Sequence, residues 1–150
     1  MKHYNNSLPI NSLSYAAVVL GWMGVLPFVF ACAAAWLGYD KMALVIFVNY
    51  SVVILSFLGG IRWAQALNGQ LEKNDFVLSV IPSLLAWACM ALPTAFALIG
   101  LLLGFIGIAY LDLHARPLAA PKAFMRLRLG LSLTVISLHF AALAQIWFRN

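Results

Sequence analysis

Charged side chains are scarce in this sequence, and their scarcity excludes a water-soluble domain. Only 9% of the 150 residues are charged, whereas 65% are hydrophobic. A soluble domain of average composition carries about 25% charged residues. The chain therefore has too few polar side chains to cover a surface in water, and we expect its surroundings to be lipid.

The sequence also lacks the residue patterns of common catalytic and ligand sites. It contains no HExxH zinc motif, no phosphate-binding loop of the GxxxxGK type, no GxSxG nucleophile motif and no metal-spaced cysteines or histidines. Its apolar segments hold no pair of carboxylates for general acid–base chemistry. We expect no metal and no cofactor, and we do not expect an enzyme.

Cysteine is limited to Cys32 and Cys89, and neither belongs to a CxxC pair. Both lie inside apolar runs, so we expect two small buried hydrophobic side chains. A disulfide between them is the weaker alternative.

The formal net charge of +5 has a different meaning in a membrane protein than in a soluble one. The basic residues lie in short loops, where they set orientation and contact anionic lipid head groups. No basic surface interleaved with aromatic residues is evident, so we expect no nucleic-acid partner.

Apolar runs of 17 or more residues recur along the chain. Each can cross roughly 30 Å of hydrocarbon as a helix, and the absence of period-two alternation argues against a β-barrel. We predict an all-α membrane protein, a bundle of five transmembrane helices in one domain over residues 1–150. The expected spans are about 15–37, 42–66, 76–92, 95–113 and 127–148. The first is too long for a signal-peptide core, so we expect it to be retained.

Basic residues are distributed unequally between the two ends of the predicted spans. The side of the N-terminus collects seven, namely Lys2, Arg62, Lys73, Arg116, Lys122, Arg126 and Arg128, and the other side has two, Lys41 and Arg149. The positive-inside rule then predicts a cytoplasmic N-terminus and a periplasmic C-terminus. A bacterial inner membrane fits this sequence best.

Small residues form faces on several spans, as helix packing in membranes requires. Ser56, Gly59 and Gly60 lie in the second span, Gly100, Gly104 and Gly107 in the fourth, and Gly130 in the fifth. We expect these faces to pack within one chain, with a dimer contact as the alternative.

A cluster of charges is expected at the cytoplasmic ends of three spans. Arg62 comes from the second span, Asp112 and His114 from the fourth, and Arg126 and Arg128 from the fifth. Arginines at this depth can snorkel to water, but a carboxylate in lipid needs a partner, so we expect Arg62 to pair with Asp112 in a structural clasp. A lipid phosphate or an anionic substrate remains an alternative for the arginines.

Polar residues within the spans form a second candidate group. His139 lies near the middle of the fifth span, and an ionisable residue at that depth indicates function by default. A neutral ring bonded to Asn49, Tyr50 or Ser51 is the favoured interpretation, and proton transfer stays open. Ser83 adds a further polar group in the third span.

Four segments together resemble a known family. They are Leu26-Pro27-Phe28, Leu55–Trp63 (LSFLGGIRW), Pro82–Trp87 (PSLLAW) and Arg126–Leu133 (RLRLGLSL). In this order they resemble the family called domain of unknown function 3429, which includes transmembrane protein 69 of animal mitochondria. The resemblance implies a small multi-span membrane protein and supplies no mechanism.

These features favour a non-enzymatic membrane protein that works by contact. It would be an accessory or assembly subunit, or a lipid-contacting element, with lipids, other membrane subunits or a second copy as partners. A small homodimeric transporter is the alternative, and an enzyme that modifies lipid head groups is the third hypothesis.

Overall fold

The structure, a computed structural model, describes residues 15–69, 75–114 and 122–149. Within these ranges every regular element is a helix. The elements are α1 (Tyr15–Met23), α2 (Leu26–Ala34), a π-helical segment (Ala35–Tyr39), α3 (Asp40–Leu67), α4 (Asp75–Cys89), α5 (Thr94–His114) and α6 (Lys122–Arg149). The prediction of an all-α bundle is confirmed.

Four helical stretches are long and apolar enough to cross a membrane. They are Tyr15–Tyr39, Lys41–Leu67, Thr94–His114 and Ala123–Arg149. The third expected span is shorter than the others, because α4 has only 15 residues and is about 22 Å long. The prediction of five spans is therefore confirmed for four of them.

The first span is broken where its sequence combines glycine and proline. Gly24 and Val25 form a turn between α1 and α2, and Pro27 occupies the first turn of α2. Proline has no N–H to bond the carbonyl four residues earlier, so the helix stops before it and restarts with proline at its beginning.

The connection from α2 to α3 is a tight turn, which is held by the last helix. Gly38 has a φ of 110°, a conformation that side chains with a Cβ rarely adopt. Gln145 Nε2 donates to the carbonyl oxygen of Ala35 at 3.3 Å, and Trp36 Nε1 donates to that of Ala141 at 3.3 Å. The far end of α6 therefore fixes this turn.

Contacts between side chains define the direction of α4. Arg62, near the end of α3, lies beside Asp75 at the start of α4. Ser83, further along α4, donates to the carbonyl oxygen of Ser56 at 3.4 Å. Because later residues of α4 meet earlier residues of α3, the two helices are antiparallel.

The remaining helices continue the up-and-down arrangement. Asp112 near the end of α5 contacts Arg128 near the start of α6. Gly21 of α1 lies against Leu131 of α6, and Trp36, later in the first span, bonds Ala141, later in α6. The first span therefore begins on the side where α6 begins. We call this side of the bundle the arginine end, and it is defined by Arg62, Asp75, Asp112 and Arg128.

The core lies along the centre of the bundle and is dominated by aromatic and leucine side chains. Phe47 and Phe105 each pack edge to face against Phe28, with ring centroids 5.2 Å and 6.2 Å from that of Phe28. Leu55 and Leu98 are fully buried beside them. Large apolar side chains also cover the outside, as expected for helices that face lipid.

Glycine lets α4 approach α3 closely at one point. A Cβ at Gly59 would lie 2.7 Å from the backbone oxygen of Ser79. A Cβ at Gly104 of α5 would similarly lie 2.5 Å from Leu55 Cδ2, and one at Gly100 2.6 Å from Cys89 Sγ. These three glycines face neighbouring helices of the same chain.

Two other glycines do not have the packing contact expected of them. Cβ atoms at Gly60 and Gly107 would meet no atom of another described segment within 4 Å. The reason is rotational: consecutive residues of a helix point about 100° apart, so Gly59 and Gly60 cannot both face α4. Gly130 has only an ordinary contact, 3.8 Å from a ring carbon of Trp22.

The adjacent glycines of α3 provide a matched pair of substitutions. Gly59→Ala should lower the free energy of unfolding by about 1–3 kcal/mol, because the new methyl group collides with the backbone of α4. Gly60→Ala should leave it unchanged or raise it by up to about 1 kcal/mol, since alanine favours helix and the space is open. Unfolding in mixed micelles with increasing denaturing detergent measures both, and equal effects would contradict this packing.

Candidate functional site

Arg62 is the most deeply buried charged residue that the structure describes. Its side chain is 1% exposed, although it lies only about one turn from the end of α3. Nη2 donates to Asp75 Oδ1 at 2.6 Å, and Nη1 lies 3.6 Å from Asp112 Oδ1. One guanidinium therefore joins the beginning of α4 to the end of α5.

Arg128 extends this arrangement to the last helix. Its Nε donates to Asp112 Oδ2 at 2.8 Å, and its Nη2 lies 2.8 Å from the same oxygen. The guanidinium also stands over the ring of Phe124, 5.8 Å from the centroid. Asp112 thus lies between two arginines, with one carboxylate oxygen toward each.

The four residues form one ion-pair network that connects α3, α4, α5 and α6. Two positive and two negative charges balance within it. The carboxylates of Asp75 and Asp112 are 15% and 13% exposed, so they lie at the edge of the buried region. A charge removed from water needs an opposite charge and hydrogen bonds to be tolerated, and the network supplies both.

The network leaves some donors without partners. Among the described residues, Arg62 Nε and Arg128 Nη1 are buried and have no hydrogen-bond acceptor. An unpaired buried donor typically costs about 1–3 kcal/mol. Arg128 Nη1 is therefore a position where a further acceptor would be stabilised.

The geometry brings together three of the five residues expected in the charge cluster. Arg62, Asp112 and Arg128 meet, whereas Arg126 is exposed on the outer side of α6. His114 is also exposed, and its ring stacks on that of Tyr110 with 4.0 Å between the centroids. Its Nδ1 lies 2.9 Å from the backbone carbonyl oxygen of Tyr110. Arg126 and His114 therefore lie outside the network.

Sequence reasoning missed the shortest ion pair of the site. The expected third span begins at about residue 76, whereas α4 begins with Asp75. Two signals could have identified it. Asp75 is one of only four acidic residues in the chain, and an acidic residue at a helix N-terminus is favoured by the helix dipole.

His139 forms a second polar centre, deep in the bundle and fully buried. Its Nε2 is 3.2 Å from Ser51 Oγ, and its Nδ1 is 2.9 Å from the Val135 carbonyl oxygen. Phe47 and Phe105 pack on the ring, with centroid distances of 4.8 Å and 5.0 Å. Of the three neighbours expected for His139, the structure places Ser51 against it.

The hydrogen bonds around His139 share a limited number of protons. A neutral ring that donates Nδ1–H to Val135 presents Nε2 as an acceptor. The Ser51 hydroxyl, whose oxygen is also 2.8 Å from the Phe47 carbonyl oxygen, then divides its single proton between two acceptors. Every polar atom of the pair nevertheless has a neighbour within hydrogen-bonding distance.

The other polar candidates in the spans bond to backbone carbonyl groups or face outward. Tyr50 Oη donates to the Gly24 oxygen at 2.8 Å, at the break between α1 and α2. Ser83 donates to Ser56 at 3.4 Å, and Asn49 is exposed. Ser79, Thr134 and Ser137 bond carbonyl oxygens of their own helices at 2.6 Å, 2.9 Å and 2.9 Å.

Metal ligands do not cluster in the part of the chain that the structure describes. No group of three or more histidine, cysteine or acidic side chains there could hold a metal ion. Cys32 and Cys89 are both buried and free. The interpretation of these cysteines as buried apolar residues agrees with their positions, and the alternative disulfide is not formed.

Substitution of Arg62 tests whether the network supports the fold. Arg62→Ala should lower the free energy of unfolding by about 3 kcal/mol, because it removes the guanidinium that contacts both Asp75 and Asp112 in the buried network. Arg62→Lys should recover only part of this loss, since an ammonium group cannot reach both carboxylates with fork geometry.

The matched control for Arg62 is Arg126→Ala, which removes an exposed arginine at the same end of the bundle. It should change stability by less than about 0.5 kcal/mol. If Arg62→Ala proves as stable as Arg126→Ala in detergent unfolding, then Arg62 is a snorkelling anchor and not a structural clasp.

Comparison with known proteins identifies the family. No curated protein and no solved structure matches the chain. Residues 13–144 match the family described as protein of unknown function (DUF3429). This match covers nearly all of the described bundle, including both polar centres, and agrees with the family resemblance of the sequence segments. The chain therefore belongs to the DUF3429 family of proteins of unknown function.

Proposed function

We propose that this protein is a non-enzymatic, integral protein of a bacterial inner membrane, and that it acts as an accessory or assembly subunit or as a lipid-contacting element. The observation that carries the proposal is that the polar side chains of the bundle bond to one another or to its backbone. The ion-pair network and the serine, tyrosine and histidine bonds join helices or bond backbone carbonyl oxygens of the bundle. These groups stabilise the fold, and the outer surface is then the part of the molecule that can contact other membrane subunits or lipid.

The proposed topology has five crossings, with the N-terminus in the cytoplasm and the C-terminus in the periplasm. The antiparallel packing of α4 against α3 supports a crossing by α4 despite its 15 residues. Its last residue, Cys89, lies level with Gly100 of α5, and the turn at Met90–Leu92 adds further length. Of the basic residues predicted to be cytoplasmic, Arg62 and Arg128 belong to the arginine end.

A transporter is less well supported by the geometry. Alternating access needs polar side chains that converge on a hydrated path near the middle of the membrane. Tyr50, Ser83 and Thr134 instead bond carbonyl oxygens at separate points, and His139 is enclosed by aromatic rings.

A lipid-modifying enzyme has one candidate acid or base, Asp112. Both oxygens of that carboxylate already contact guanidinium groups of the bundle, which favours a structural role. Asp112→Asn separates the two roles, because loss of a clasp lowers folding and expression. Loss of catalysis alone would leave the amount of folded protein unchanged.

Fusion reporters test the proposed topology. An alkaline phosphatase fused after Asn150 should be active, because this enzyme folds to its active form only in the periplasm. Green fluorescent protein fused there should be dark, because it does not become fluorescent when it is exported unfolded. The same reporters at the N-terminus should behave in the opposite way. A fluorescent C-terminal fusion would mean that α4 does not cross the membrane.

Purification under mild conditions tests the proposed role. From native membranes in a gentle detergent, the full chain should be recovered with a partner subunit in fixed ratio or with tightly retained lipid. An Arg126→Ala chain, which alters only exposed charge, serves as the matched preparation. A monomer that carries neither partner nor lipid would contradict the proposal.

A further inference from the structure

A groove lies between the first span, α3 and α6, and it is apolar except at one place. Its cavity has a volume of about 170 Å³. Leu20, Phe57 and Leu58 are among its apolar walls, and Arg128 and Ser132 are its polar lining residues. The two polar residues are four apart on α6, so they lie on the same face, one turn from each other.

The groove opens toward the outside of the bundle. Leu20 and Phe57, on opposite walls, are 67% and 63% exposed. Gly21 and Gly24 line the groove on the side of the first span, and neither has a side chain that would occupy it. In a membrane such an opening is surrounded by lipid chains.

Arg128 supplies a reason for an anion at this groove. The side chain is 93% buried, as its 7% exposure shows, and among the described residues its Nη1 has no hydrogen-bond acceptor. Its carboxylate partner, Asp112, is shared with Arg62. Hydrogen bonds between a guanidinium and a phosphate oxygen are charge-assisted and strong, so this nitrogen favours a phosphate.

We propose that the groove binds one anionic phospholipid, with its phosphate at Arg128 and Ser132 and one acyl chain along Leu20, Phe57 and Leu58. The proposal rests on the membrane location given under the proposed function and names the lipid class that the bundle contacts. Two features select this occupant: the Nη1 donor of Arg128, which has no acceptor among the described residues, and the position of the polar pair at the arginine end. A zwitterionic lipid brings an extra positive charge close to Arg128 and binds less well.

Native mass spectrometry of the full chain in a mild detergent tests this site. The probes are palmitoyl-oleoyl phosphatidylglycerol, phosphatidylcholine with the same chains, and inorganic phosphate. The wild-type chain should bind the phosphatidylglycerol about tenfold more tightly than the phosphatidylcholine, a difference of about 1.4 kcal/mol. Millimolar phosphate should not displace the lipid, because the acyl chain contributes to binding.

Ser132→Leu fills the groove without altering any charge and should weaken phosphatidylglycerol binding at least about tenfold. Ser137→Leu is the matched control, since Ser137 lies on the exposed side of the same helix, and it should bind as the wild type does. Arg128→Lys should reduce the preference for the anionic lipid. Ser132→Leu keeps the test valid if Arg128→Lys does not fold.

Three results would overturn the proposal: equal binding of the two lipids by the wild-type chain, unchanged binding by Ser132→Leu, or displacement of the lipid by phosphate alone. None of these results would affect membrane insertion or the recovery of a partner subunit. Failure of the lipid site is therefore distinguishable from failure of the proposed function.

Discussion

A buried guanidinium is the constraint on which the arrangement of this bundle depends. Arg62 is 1% exposed on a helix whose surroundings are apolar, and an arginine removed from water must be met by carboxylates. Asp75 and Asp112 meet it from two different helices. The start of α4 and the end of α5 are thereby fixed around one residue of α3.

The close packing of α3 and α4 and the pairing of Arg62 support each other. Gly59 is nearly one helical turn before Arg62 and allows the backbone of α4 to pass directly against α3. This approach places Asp75 within hydrogen-bonding distance of the guanidinium. Arg128 then extends the network to α6. Its Nη1 has no acceptor among the described residues, and the proposed lipid phosphate would supply one.

Most of the fold could be predicted from the sequence, because the length of apolar runs and the solvent they imply are properties of composition. Details that depend on helix rotation could not. The sequence shows Gly59 and Gly60 as a pair, but only a packed neighbour distinguishes the one in contact from the one left open. For the same reason the role of Asp75 could not be predicted, because its burial depends on where α4 begins. Arg126 and Arg128 were expected in one cluster, but Arg126 is exposed and Arg128 is buried. Ser51 was one of three candidates for His139, and rotation of α3 selected it.

The central claim is that Arg62 and Asp75 stabilise the bundle through each other. A double-mutant cycle with Arg62→Met, Asp75→Asn and the combined variant, measured by unfolding in lipid bicelles, tests it most directly. We predict a coupling free energy above about 1.5 kcal/mol, as expected for residues in one buried network. A coupling within about 0.3 kcal/mol of zero would contradict the account, because the two residues would then act independently.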